Sequence, residues 1–436
     1  DHRDLHSFPT RRSSDLITNR NMKLNDLIKK LQETGQIKPI HALEKSSKIL
    51  ESRVDDIFSG DWEYGEYGDV FIMCDDMPIG TMHGEVSLIA EKEIPALFSL
   101  EFSNKDIHSE IGDIVFVDIE TSNLSFGAGS FVFLIGLCFF SDNAVRTELL
   151  FIDHPGAEKA LLDIFSSKIS TFSVISSYNG KSFDLPFLRN RCLFHGTDPD
   201  FMDKSHIDLL HYARRFWKLR IESCRLSDIE RLILKHQRKE SEIPGWMVPQ
   251  IYFDFLSQKD PRMLEGIFYH NKDDVLSLAA LFVYINRFLK QTNLSEETDG
   301  KDFLSLAQVY EKKNEITQAI VCYQQGLDIC KDTTILPHFY WRYGLLFKKT
   351  GDFSKALAAW EKSASNNHIP SCIELSMYYE HQMRDPQTAL QWAEKAHALI
   401  DNIGQGNTVE FNKILIRLGR LKRKISINEK QTPKTD

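Results

Sequence analysis

Apolar residues along the chain change rhythm several times, and each change marks a predicted element. Leu24, Leu27, Ile28 and Leu31 fall on one helical stripe, which predicts helix between Leu24 and about Phe58. From Asp61 to Ile89 the rhythm shortens to strands punctuated by Gly60, Gly65, Gly68 and Gly80, with Val70–Cys74 and Val86–Ile89 the clearest. His83, beside Gly84, is expected to be structural, as a lone His at a turn usually is. Near-continuous apolar runs follow: a strand within Gly112–Thr121, a second from Phe131 to Phe140, and a third that includes Glu148–Phe151. Leu161, Leu162, Ile164 and Phe165 predict a helix from about Ala157 to Ile169, and Phe172–Ser176 reads as a short buried strand. After Leu289 a polar, Gly-ended stretch, 291–301, reads as a linker. Beyond it Leu306-Ala307, Tyr310, Ala319, Tyr323 and Gly326 recur at identical spacing as Tyr343-Gly344, Phe347, Ala356, Trp360 and Ser363. A third copy, Leu375-Ser376, Tyr379, Ala389, Ala393 and Ala396, carries one extra residue in its middle. Small residues at these positions let paired helices approach closely, and the aromatics fill the gap to the next pair.

Composition narrows the class. A 436-residue chain has room for two or three domains, and 42% hydrophobic with 26% charged residues suits a soluble globular protein. A formal net charge of −9 argues against indiscriminate coating of nucleic acid, so any such contact needs a local basic patch. Cys74, Cys138, Cys192, Cys224, Cys322, Cys330 and Cys372 are scattered and odd in number, which suits a reducing, cytoplasmic setting. The longest apolar run, Phe131–Phe140, is too short to span a bilayer, and neither a signal peptide nor a lipidation motif is present. Residues 1–21 resemble translated adapter sequence, with Met22 the expected start; the expected units are then an accessory α+β region to 110, a domain over 111–290, and helical repeats over 302–424 before a disordered tail, 425–436.

The chemistry starts at Asp118 and Glu120. At i and i+2 of a strand they share one face, and two adjacent charges do not stabilise a buried strand. A divalent cation between them is one resolution; two solvated acids at a strand end is the other. A second cluster, Tyr178-Asn179-Gly180-Lys181-Ser182-Phe183-Asp184-Leu185-Pro186-Phe187-Leu188, sets an acid behind an Asn-Gly turn, where it reads alone as a helix cap. A third, Tyr269-His270-Asn271-Lys272-Asp273-Asp274, offers two i, i+4 pairs, His270/Asp274 and Tyr269/Asp273. Between the second and third lies a basic stretch with Lys204, Arg214, Arg215, Lys218, Arg220, Arg225, Arg231, Lys235, Arg238 and Lys239. There a strand's backbone would lie, with Trp217 or Phe216 to stack a base; a solvated helix face over core aromatics reads the same way.

These motifs carry a resemblance. Tyr-Asn-Gly-x-x-Phe-Asp-x-Pro-Phe-Leu resembles the second motif of the DEDD superfamily of 3′→5′ exonucleases, and Asp184 stands at its third carboxylate. Three antiparallel strands, a helix and a parallel strand match the ribonuclease H-like order. The third cluster, with the run Glu242-Ile243-Pro244-Gly245-Trp246-Met247-Val248-Pro249-Gln250-Ile251-Tyr252-Phe253-Asp254-Phe255-Leu256, is similar to the YprB-type bacterial group, which joins such a domain to tetratricopeptide (TPR) repeats. That similarity favours His270/Asp274 over Tyr269/Asp273, as does the near-neutral titration of imidazole. The fold expected is an α/β ribonuclease H-like domain, a mixed sheet flanked by helices, followed by all-α TPR repeats.

The resemblance implies a metal-dependent 3′→5′ exonuclease acting on DNA or RNA. Asp118, Glu120, Asp184 and Asp274 would hold two divalent cations, Mg²⁺ or Mn²⁺, with His270 as general base. Thr121, Asn179, Phe183, Arg214, Arg215 and Trp217 are the candidate nucleic-acid contacts, the TPR region the candidate protein-binding surface. A structure-specific endonuclease and a non-catalytic scaffold are the alternatives.

Overall fold

The first strands turn at Gly68, whose φ of +123° L side chains rarely adopt and whose Cβ would meet Ala157 at 2.6 Å. They are β1 (Asp61–Gly65) and β2 (Gly68–Pro78) of a computed structural model that describes residues 52–89, 96–101, 110–123, 129–238, 243–290, 299–402 and 409–431. A two-stranded hairpin follows, β3 (Met82–His83) and β4 (Val86–Ser87), then a short helix, α1 (Ala96–Glu101). β5 (Ile114–Thr121), β6 (Val132–Phe140) and β7 (Ala144–Phe151) form an antiparallel meander. Then come α2 (Glu158–Ile169), β8 (Val174–Ser177), α3 (Asp184–His195), β9 (Ser205–Asp208) and α4 (Leu209–Trp217). α5 (Leu226–Ile229) runs on as a π-turn over Glu230–Leu234, before α6 (Val248–Gln258) and the long α7 (Glu265–Lys290).

One seven-stranded sheet takes the order β1-β2-β7-β6-β5-β8-β9, with β5, β8 and β9 parallel and the rest antiparallel. The hairpin β1–β2, expected in a separate accessory region, is therefore an edge of this sheet: Phe71–Pro78 pairs with Ala144–Phe151. Both faces of the sheet are covered, which explains strands that are apolar throughout rather than alternating. Strand parity divides β5 between two cores. Val115, Val117 and Ile119 join a core with residues of α2, α3 and α6, while Ile114 and Phe116 join one with residues of α4 and α7. Each such side chain, fully buried, contributes about 1.5–3 kcal/mol. Asp118 and Glu120 have the parity of Ile114 and Phe116, and so belong to the α7 side.

The repeat region is helical throughout its described residues: α8 (Gly300–Lys312), α9 (Ile316–Ile329), α10 (Leu336–Thr350), α11 (Phe353–Ser365), α12 (Ile369–His381), α13 (Pro386–Asn402) and α14 (Val409–Gln431). The repeat positions act as expected: Ala307, Ala319, Tyr323, Ala356, Trp360, Leu375, Ala389, Ala393 and Ala396 are buried. A Cβ on Gly344 would stand 2.3 Å from the Trp360 ring, so the α10–α11 pair closes only over a residue without a side chain. One expectation changes: the last helix continues to Gln431, into the stretch expected to be disordered. The helix expected from the stripe at Leu24–Leu31 lies outside the described residues.

Candidate active site

β8 is short, and its pairing with β5 stops at Phe116↔Ser176. β5 runs on paired with β6 only, so Asp118 and Glu120 emerge past the end of their parallel neighbour, and a bulge between Glu120 and Thr121 then re-aims the strand. Into this opening α3 brings Asp184 as its first residue. The preceding turn needs Asn179 at φ +67° and a glycine at 180, where a Cβ would stand 2.2 Å from Ser177 Oγ and 3.0 Å from Asp184 Oδ2. The turn is tied down by Asp208, 1% exposed, whose carboxylate accepts from the backbone N–H groups of Asn179 at 2.8 Å and Lys181 at 3.2 Å. Asp208 was not among the sequence candidates, since one acid in a basic stretch carries no motif.

α7 supplies the fourth acid, and the structure separates the two registers of the third cluster. Asp274 faces the other carboxylates: burial, then the charges of Asp274, Asp184 and Glu120, push the Asp118 carboxyl well above the usual range. Glu120 is pushed up in the same way, by burial and by Asp274 and Asp184. Asp184 rises to about 7, through burial and the charge of Asp208. Asp274 rises to about 6 by burial, against the opposing charges of His270 and Arg238. Asp273 points elsewhere. Its carboxylate lies 2.9 Å from His236 Nε2, and although burial works upward, that hydrogen bond and the imidazole charge hold it below the usual range.

His270 Nε2 is 3.5 Å from Asp274 Oδ2. Its Nδ1 lies 3.0 Å from Arg238 Nη1, and since a guanidinium only donates, Nδ1 accepts. Arg238 also donates to Asp274 and is held by Glu230, 1% exposed, through contacts of 2.5 and 2.7 Å. The guanidinium, expected on a nucleic-acid-facing patch, is thus drawn into the carboxylate cluster, because four like charges need a counter-charge. Other members of the basic stretch are similarly engaged: Lys204 donates to the carbonyls of Ser170 and Phe172, and Arg220 pairs with Asp302 at 2.6 Å.

Trp217 and Phe216 are both 0% exposed, which overturns the base-stacking expectation for them. α4 is amphipathic: its aromatics pack against Phe288 of α7, while Arg214 and Arg215 stay exposed on the outer face. Arg215 stands over the Tyr212 ring at 5.5 Å. Thr121 is 4% exposed and its hydroxyl is committed to the Asn123 carbonyl at 2.9 Å. Asn179 is exposed, and Phe183 is half-buried with its ring 5.9 Å from Phe187.

Two further residues escaped sequence reasoning. Gly136 of β6 is the cross-strand partner of Asp118, and the side chain of Asn271 fills the space that a Cβ there would take, its Oδ1 being 2.2 Å from that position. From there Asn271 Nδ2 donates to Asp118 Oδ2 at 2.8 Å. Among the described residues, His83, His236 and Asp273 each bring one ligand atom within 4.8 Å of the others, so by distance they could hold a metal ion. Within this group His83 Nε2 meets Ser277 Oγ at 2.8 Å, His236 Nε2 meets the Asp273 carboxylate at 2.9 Å, and the His83 and His236 rings stack at 3.8 Å.

The sequence from 115 to 286 matches the RNase H superfamily, and 303–333 matches the tetratricopeptide repeat. Protein YprB of Bacillus subtilis (strain 168) is 30% identical over 396 residues, 86% of this chain and 93% of its own. Among solved structures, the crystal structure of MamA, 18% identical, aligns with 37% of this chain and 92% of its own at a TM-score of 0.24. The family B DNA polymerase of Pyrobaculum calidifontis, 19% identical, aligns with 49% of this chain and 29% of its own at a TM-score of 0.34. Among the described residues no helix is long and apolar enough to cross a membrane. With a nuclease-type sheet followed by helical repeats, and a relative this similar along nearly its whole length, the chain belongs to the YprB family of ribonuclease H-like proteins with tetratricopeptide repeats.

Proposed function

We propose that this protein hydrolyses phosphodiester bonds of a nucleic-acid strand, releasing nucleotides from the 3′ end. One observation carries the reading: four acids from three separate elements, Asp118 and Glu120 on β5, Asp184 on α3 and Asp274 on α7, meet at the sheet opening with their carboxyl groups pushed up. Such an arrangement costs stability unless a cation neutralises it, and Arg238 supplies one charge for four acids. An all-oxygen donor set suits a hard ion, so these four would hold two divalent cations, Mg²⁺ or Mn²⁺. When bound, such ions supply a water of lowered pKa and neutralise charge building on the phosphate.

The chain's own residues do the rest. Asp208 and Gly180 hold the turn that aims Asp184, and Asn271 holds Asp118 in its rotamer. His270 is the candidate base, and it takes a proton on Nδ1 only once the Arg238 N–H has released that lone pair. This contact is also the observation that favours a second reading, a non-catalytic scaffold, because Arg238 engages both Asp274 and His270. The repeats add a surface suited to a protein partner.

Strands of DNA and RNA labelled at the 3′ or the 5′ end separate the readings. Metal-dependent loss of the 3′ label, nucleotide by nucleotide, is expected. Internal cuts would indicate an endonuclease, and binding without cleavage would support the scaffold.

A further inference from the structure

The motif around α6 plays no part in the carboxylate chemistry, yet it is built in a particular way. Its inner face is fixed: Val248, Tyr252 and Phe255 are buried, Tyr252 stacks on Phe133 at 3.9 Å, and its hydroxyl donates to the Ile152 carbonyl at 3.0 Å. Its outer face keeps two large rings in water, Trp246 at 56% exposure and Phe253 at 44%. A tryptophan left that open gives up burial that it would ordinarily gain.

The segments that carry both rings adjoin elements of the candidate site. A Cβ on Gly245, the residue before Trp246, would stand 3.9 Å from His270 Nε2, so the backbone leading into Trp246 runs past the candidate base. The Phe253 ring is 6.3 Å from that of Phe131. Phe131 is tied to Ser122, two residues beyond Glu120, by two hydrogen bonds of 2.9 Å: its carbonyl accepts from the Ser122 N–H, and its own N–H donates to Ser122 Oγ. An exposed indole carries no charge for a phosphate. It offers a flat π-face, and the partner with a matching face in a nucleic-acid strand is the base.

We propose that Trp246 is the stacking platform for an unpaired base of the strand, with Phe253 extending the aromatic surface, and that the substrate is therefore single-stranded at the site. Bases inside a duplex are stacked on one another and offer no free face, whereas every unpaired base does, whatever its identity. This assignment rests on the nuclease reading and names the form of substrate that reading requires.

The test uses the full-length Asp118→Asn protein, which binds without consuming its ligand, with and without Trp246→Ala or Trp246→Phe. Anisotropy is followed with labelled oligothymidylate and oligouridylate, and with the same strands carrying abasic sites. Trp246→Ala should weaken binding of the intact strand roughly tenfold, the worth of one base stack, and Trp246→Phe should recover most of it. The abasic strand should bind equally well with and without the Trp246→Ala change. An unchanged affinity for the intact strand, or an equal loss for the abasic one, would overturn the assignment while leaving the nuclease reading intact. Failure of the parent to bind any strand would remove both.

Discussion

The amide of Asn271 is wholly buried, and its donor side is satisfied, Nδ2 reaching Asp118 at 2.8 Å, while Oδ1 has no hydrogen-bond partner among the described residues. An unsatisfied buried acceptor costs about 1–3 kcal/mol, so the residue serves something other than stability. Its one good contact orients a carboxylate that is also pressed by Asp274, Asp184 and Glu120. Asn271→Leu, similar in size and without polar atoms, should therefore leave the melting temperature nearly unchanged. It should raise the Mg²⁺ or Mn²⁺ concentration needed for half-maximal activity by roughly 10–100-fold, as loss of an outer hydrogen bond to a metal ligand does. Unchanged metal dependence would show that Asn271 only packs. At this scale Asp118 and Glu120 were legible from the sequence, because the period of a strand is local and puts i and i+2 on one face. Asn271 was not: its role depends on Gly136 lying opposite Asp118, a register between strands joined through a connection that leaves no periodic trace. The register of the third cluster was likewise open on helical spacing alone, since His270/Asp274 and Tyr269/Asp273 obey it equally.

The β3–β4 hairpin acts as a brace for the segment that carries His236 and Arg238. Gly84 has φ +59°, and its Cβ would lie 2.2 Å from the Leu234 carbonyl, which accepts the Glu85 N–H at 2.8 Å. His83 then stacks on His236, which pairs with Asp273, while Arg238 engages Asp274 one residue on. Sequence reasoning favoured a structural His83, and its hydrogen bond to Ser277 and its stack on His236 are contacts of that kind; for the basic run it left a nucleic-acid patch and a solvated helix face over core aromatics both open, because helical spacing does not say which face is solvated. Burial, and then the charge of His236, hold the His83 imidazole down at about 4, with Asp273 acting upward and Arg238 downward. A depressed imidazole pKa means that the unfolded chain takes up the proton first. The contribution is thus complete above the unfolded value of about 6.5 and is lost as pH falls toward 4, amounting to about 3 kcal/mol. In urea denaturation at a series of pH values, His83→Gln should flatten the fall in stability over that window relative to the wild type. Parallel curves would show that His83 does not titrate with unfolding.

Trp217 and Phe216 are the clearest link between the nuclease-type domain and the repeats. Their rings lie 5.8 Å from Tyr284 and 5.3 Å from Phe288, in an apolar cluster that continues through Leu289 to Leu304, Leu306 and Ala307. Arg220 crosses the same seam to Asp302, which is 1% exposed. Arg220→Ala would strand a buried carboxylate and should lower the stability of the intact chain by about 3 kcal/mol in chemical denaturation. A change within a few tenths would place the repeats as an independent unit. The repeats were readable from their spacing because each unit packs by local rules. The edge hairpin β1–β2 was not, since Phe71 pairs with Phe151 across a long stretch of intervening sequence. At the scale of the molecule, the claim that matters most is that the four carboxylates form one working centre. The measurement is single-turnover cleavage of a 3′-labelled single strand by the full chain in Mg²⁺, in Mn²⁺ and in EDTA, beside Asp184→Asn. The account predicts cleavage with either metal, none in EDTA, and a rate lowered by roughly a thousandfold or more in the variant, the scale of loss when stabilisation of transition-state charge is removed. Cleavage that survives EDTA, or an Asp184→Asn protein as fast as the wild type, would contradict it.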